Sequence, residues 1–114
     1  MDHRIEKIEA LIQDILAEMI ARDFSVSRET LITITKVKAS GNLQEAKVYV
    51  SVLPDRERTK IVASMERNAR FFQSALNKKL RMRPVPKIIF MPDANPAQAQ
   101  QVETILEGLK TKDK

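Results

Sequence analysis

The sequence predicts an α+β domain built on a small mixed sheet, and three observations carry that prediction. Two long segments, His3 to Arg22 and Glu57 to Arg81, repeat apolar residues every three or four positions, as amphipathic helices do. Between them stand two β-branched segments separated by a short turn, which form a hairpin. After the second helical segment a short apolar run follows a proline pair, and the long crossover before it sets that strand parallel to a hairpin strand.

In the first segment Ile5, Ile8, Ile12, Ile15, Leu16, Met19 and Ile20 line one helical face, with Asp2 placed as N-cap. Arg4, Lys7, Gln13, Asp14 and Glu18 occupy the other face and read as solvated. His3 has no second metal ligand near it and reads as surface. Asp23 to Glu29 is polar and irregular.

Leu31 to Lys38 is dense in Ile, Thr and Val, which favours a strand. Ser40-Gly41-Asn42 supplies turn chemistry. Beyond it Ala46, Val48, Val50 and Val52 alternate with Lys47, Tyr49 and Ser51, giving a strand with one buried and one wetter face. Pro54-Asp55 then opens a helix with Asp55 as its cap.

From Glu57 to Arg81 neither Gly nor Pro occurs, and Ile61, Met65, Ala69, Phe72, Leu76 and Leu80 keep helical spacing throughout. A single helix of roughly 25 residues is about 38 Å long, whereas a compact chain of this length has a diameter of only about 34 Å. A bend near the middle resolves the mismatch, as helix curvature or an overhanging end also does. Arg81-Met-Arg-Pro-Val-Pro86 stops the helix. Lys87 to Met91 reads as the third strand. Asn95-Pro96-Ala97-Gln98 opens a short last helix carrying Val102, Ile105, Leu106 and Leu109, and the polar end, residues 111–114, frays.

The 114 residues, 43% hydrophobic, suit one domain with one core. The absence of cysteine excludes disulfides, thiolate zinc sites and cysteine nucleophiles, and fits a reducing cytoplasm. No apolar run reaches the roughly 18 residues of a membrane span, so neither a membrane nor a secretory route is expected. A net charge of +5 favours a polyanionic partner, and its distribution is more telling than its sum. Arg67 to Pro92 holds seven bases (Arg67, Arg70, Lys78, Lys79, Arg81, Arg83, Lys87) and no acid, which leaves the other 88 residues at −2.

At 100° per residue, Arg70, Gln73, Ser74, Asn77 and Arg81 fall within a sector of about 100°, flanked by Arg67 and Lys78, while Phe72, Leu76 and Leu80 point away. Guanidinium, ammonium, amide and hydroxyl groups on one face donate to phosphate oxygens and sugar hydroxyls. Arg83 and Lys87 extend this patch beyond the helix, and Lys36 and Lys38 join it if the first strand lies alongside. Of the aromatic residues only Phe71 and Tyr49 stand clear of the expected core, so recognition through backbone and shape is expected in preference to base stacking. No glycine-rich phosphate loop, serine elbow or second histidine occurs, and the carboxylate pair Asp14 and Glu18 reads as surface charge, so no catalytic role, cofactor, metal or small-molecule substrate is expected.

Thr33-Ile-Thr-Lys-Val37, Ser40-Gly-Asn-Leu43, Ala46-Lys-Val-Tyr-Val-Ser51, Leu80-Arg-Met-Arg83, Val85-Pro86, Lys87-Ile-Ile-Phe90 and Asp93 occur in an order and spacing that resembles the bacterial ribosome-binding factor A family over about residues 4–109. The resemblance implies a type II KH-like domain over residues 1–110, with helices packed on one face of a three-stranded mixed sheet. It also implies a kink between the two middle helices, marked in the family by Ala-x-Gly. Here that place is Asn68-Ala69-Arg70, which puts a cation where KH-like proteins meet nucleic acid. Asn42 stands where the family usually has aspartate, and Lys87 where an acid is common.

The implied function is that of a monomeric, cytoplasmic assembly factor, which binds the free small (30S) ribosomal subunit, assists late maturation of 16S rRNA and acts in growth at low temperature. The residues alone leave two rivals. One is a protein-interaction module using the same basic face; the other is a general KH-like nucleic-acid-binding domain.

Overall fold

The computed structural model describes residues 3–24 and 28–93. Within them helix α1 (Arg4–Asp23) leads to strands β1 (Leu31–Ala39) and β2 (Glu45–Leu53), a 3-10 turn (Asp55–Glu57), helices α2 (Arg58–Arg67) and α3 (Ala69–Lys79), and strand β3 (Lys87–Pro92). The sheet order is β1-β2-β3, with β1 antiparallel and β3 parallel to the central β2. This is the mixed sheet that the hairpin and crossover predict. The proposed cap Asp2 and the last helix, Asn95 to Leu109 with its polar end, lie outside the described residues.

Alternation decides which face of the sheet is buried. Ile34, Val37, Ala46, Val48, Val50, Val52, Ile88 and Phe90 all point to one side, where they meet Ile12, Leu16, Met19, Val62, Met65, Phe72 and Leu76 from the three helices. Phe72 sits at the centre, 0% exposed, its ring 5.2 Å from that of Phe90 and 6.1 Å from that of Phe24. Truncating it to alanine costs about 3–5 kcal/mol through lost burial and a residual cavity.

Ile34 and Val37 are an odd number of residues apart, so a regular strand points one of them outward. A bulge between Ile34 and Lys36 absorbs the extra residue, Thr35, and keeps both inside. The freed Thr35 hydroxyl donates to Asp93 Oδ2 at 2.6 Å, tying the end of β3 to β1 across the middle strand.

The expected turn chemistry of Ser40 and Asn42 is present, and two other local expectations change. The β1–β2 turn is organised by Ser40, whose Oγ donates to Asn42 Oδ1 (2.7 Å) and accepts from the Gln44 and Glu45 amides; the left-handed residue is Leu43 (φ 59°), not Gly41. Asp55 does not cap a helix: its carboxylate pairs with Arg58 at 2.8 Å, and α2 begins without a side-chain cap. Gln13, expected in solvent, donates to the Ile34 carbonyl at 3.0 Å, because α1 runs alongside the free edge of β1. One turn earlier on the same helix Glu9 accepts from the Ala39 amide at 2.8 Å.

Candidate nucleic-acid interface

The long helical segment is broken at one residue. Asn68 (φ −101°, ψ 18°) leaves the helical region; its amide donates to the Ser64 and Met65 carbonyls, ending α2, and its carbonyl accepts from the Phe71 amide, starting α3. Its side-chain Nδ2 adds a bond to Ser64 O at 2.8 Å. Because φ is negative, no glycine is needed at the break. Arg70 lies within the first turn of α3, in ordinary helical conformation, and is exposed.

Both sides of the break are fastened to the outer edge of β3. A strand edge presents unpaired amides and carbonyls that need partners. On β3 the Phe90 amide donates to Glu66 Oε1 (2.8 Å) on α2, and the Ile88 amide donates to Gln73 Oε1 (2.9 Å) on α3. Gln73 also donates from Nε2 to the Pro86 carbonyl at 3.0 Å, so its amide is used at both ends. Seven residues of bent helix thereby span two residues of strand.

The approach to β3 is held by Arg83. Its guanidinium donates to the carbonyls of Leu80 (2.9 Å), Met82 (2.6 Å) and Asn77 (3.0 Å), satisfying the acceptors left at the end of α3. Between α3, this segment and β3 lies an open groove of about 530 Å³, lined by Ala69, Arg70, Gln73, Asn77, Arg83, Pro84, Val85, Lys87 and Ile88. None of the nine is acidic.

The residues singled out from the sequence therefore separate into three groups. Arg67, Arg70, Lys78, Arg81 and Lys87 are exposed, with no ion pair among the described residues, and Arg70 and Lys87 both line the groove. Gln73 and Arg83 line it too, but their polar atoms are spent on backbone groups; Asn77 accepts from Gln73 at 3.3 Å. Lys36 and Lys38 do not join the helical patch: β1 is the opposite edge of the sheet, and both lysines are exposed on the face that carries no described helix.

Sequence reasoning missed Glu66, because it precedes the basic stretch, and Lys47, whose outward alternation beside Val48 was a usable signal. Phe71 is 52% exposed, with the Phe72 ring packed against it at 5.5 Å, edge to face. Tyr49 is half-buried under the Lys36 ammonium, 4.7 Å from its ring centroid. Among the described residues no group of three His, Cys, Asp or Glu side chains is placed to hold a metal. The arrangement offers charged donors to phosphate and no acid–base pair for chemistry.

Comparison with known proteins agrees with this geometry. The family model described as ribosome-binding factor A matches residues 4–106. Ribosome-binding factor A of Prochlorococcus marinus is 31% identical over 110 residues, covering 94% of this chain and 85% of the relative. That of Bdellovibrio bacteriovorus is 34% identical over 108 residues, covering 94% and 81%. The crystal structure of the Thermus thermophilus factor superposes with a TM-score of 0.66 at 28% identity, over 77% of this chain and 93% of that one. A homology model of a Thermus thermophilus factor, fitted into the cryo-EM map of its complex with 30S, gives a TM-score of 0.62 at 29% identity, over 75% and 90%. With a three-stranded mixed sheet, a bent middle helix and the KH-like fold of these structures, the chain belongs to the ribosome-binding factor A family.

Proposed function

We propose that this protein is a cytoplasmic assembly factor that binds the free small ribosomal subunit as a monomer and assists late maturation of 16S rRNA, with its greatest importance in the cold. The observation that carries the reading is the groove between α3 and β3, whose lining holds no acid and includes Arg70 and Lys87, neither of them ion-paired among the described residues. The fit of the Thermus thermophilus factor into the map of a complex with 30S supports the choice of partner.

The mechanism is selective binding. Arg67, Arg70, Asn77, Lys78, Arg81 and Lys87 meet sugar–phosphate backbone on structured rRNA, while Gln73 and Arg83 hold the groove's walls. Binding one conformer of a switchable rRNA region raises its population by the difference in affinity between conformers. No bond is made or broken.

Titration of purified small subunits at increasing salt tests this. Neutralising four to six phosphates gives a log–log slope of about −3 to −5, and a salt-independent affinity overturns it. In cells, RNA crosslinked to the protein is expected to map to small-subunit rRNA. Reads scattered over mRNA favour a general nucleic-acid binder, and retention of partners after RNase treatment favours a protein-interaction module.

A further inference from the structure

The face of the sheet that carries no described helix holds a second cationic surface. Register places Lys38 directly opposite Lys47 on β1 and β2, and Lys36 opposite Tyr49. On β3, Lys87 is in register with Glu45, the one acid within the three strands, and Asp93 just past β3 accepts from the Thr35 hydroxyl of β1. Lys36, Lys38, Lys47 and Lys87 are all exposed, and none has an ion pair among the described residues.

Like charges directly opposite each other on neighbouring strands are destabilising. Lys38 and Lys47 nevertheless face each other with no acid between them. Lys36 is oriented by the Tyr49 ring beneath it, which holds its ammonium 4.7 Å from the ring centroid instead of leaving it free to turn away. Lys36, Lys38 and Lys47 are absent from the groove's lining, which Lys87 shares. Lys36 and Lys38 lie two strands away from Lys87, roughly 10 Å at the usual strand spacing, and on the opposite side of the sheet from the bent helix.

We infer that this face binds the phosphate backbone of a second RNA segment, so that the protein bridges two rRNA strands: one in the groove and one across β1 and β2. The inference rests on the proposed function and specifies how that binding is divided. Positive charge on a β-surface with one half-buried aromatic ring suits a sugar–phosphate strand read without base specificity. Lys87, at the border of groove and sheet, can reach either segment.

The test uses the full chain and purified small subunits. Replacing Lys38 and Lys47 together by glutamine is expected to weaken binding roughly tenfold and to lower the salt slope by about 2. Thermal stability should stay the same or rise, because a like-charge pair is removed. Photocrosslinkers placed at Lys47 and at Arg70 are expected to label two different rRNA segments.

Unchanged affinity and slope in the double variant, or both crosslinkers labelling one segment, overturns the bridging inference while leaving the groove reading intact. Crosslinks from Lys47 to a ribosomal protein, with none to rRNA, also overturn it. Failure of the unmodified chain to bind small subunits at all removes the proposed function itself.

Discussion

The two edges of this small sheet are closed by the same chemistry and put to different use. At the β1 edge Glu9 accepts from Ala39 and Gln13 donates to Ile34, both from one uninterrupted helix and four residues apart. At the β3 edge Glu66 accepts from Phe90 and Gln73 clasps Ile88 and Pro86, seven residues apart and on either side of the Asn68 break. Each edge thus has one glutamate and one glutamine where exposed strand groups call for partners. Only the second pair fixes an angle between helices, and only beside it does a basic groove open. Edge protection at β1 stabilises; at β3 it also shapes the basic groove.

Removing each clamp separates these roles. Glu66→Ala with Gln73→Ala leaves the Phe90 and Ile88 amides and the Pro86 carbonyl without partners and should cost about 3 kcal/mol, measured by urea unfolding. Among molecules still folded, small-subunit affinity should fall at least tenfold. Glu9→Ala with Gln13→Ala should cost about 2 kcal/mol, yet leave affinity and salt slope as they were. Equal losses of affinity from the two pairs would erase the distinction between the edges.

Two smaller changes sharpen it. Arg83→Met frees the carbonyls at the end of α3 and should cost about 1 kcal/mol, seen as a lower melting temperature. Asn68→Ala removes one exposed side-chain bond to Ser64 and should cost about 0.5 kcal/mol. A loss several times larger would mean that Asn68, and not the clamp, sets the bend.

Much of this fold was legible because local patterns and global packing agree. Period-two alternation from Ala46 to Val52 located the central strand and its core-facing side, although Ser51, expected on the wetter face, is buried. The mismatch between helix length and domain diameter called for a bend, curvature or an overhanging end, and the family resemblance placed the kink at Asn68-Ala69-Arg70. The bulge at Thr35 was not read, although the odd spacing of Ile34 and Val37 encodes it. The site was less legible than the fold. Charge segregation singled out Arg70, Lys78 and Lys87, which are exposed in the structure, but angular reasoning treats every polar side chain on a face as free. It had no means to see that Gln73 and Arg83 answer backbone groups 13 to 15 and one to six residues away, respectively. Nor does helical geometry reveal that Lys36 and Lys38 fall on the far face of the sheet, since that follows from strand order.

The sharpest test compares two arginines that line one groove. Arg70 is unpaired among the described residues, whereas Arg83 is committed to three carbonyls. Small-subunit binding should be titrated against salt for Arg70→Ala and Arg83→Met beside the unmodified chain. Arg70→Ala is predicted to lower the log–log slope by about 1 with unchanged melting, and Arg83→Met to lower the melting temperature with an unchanged slope. A slope unaffected by Arg70→Ala would contradict the assignment of this groove as the place where the protein meets phosphate.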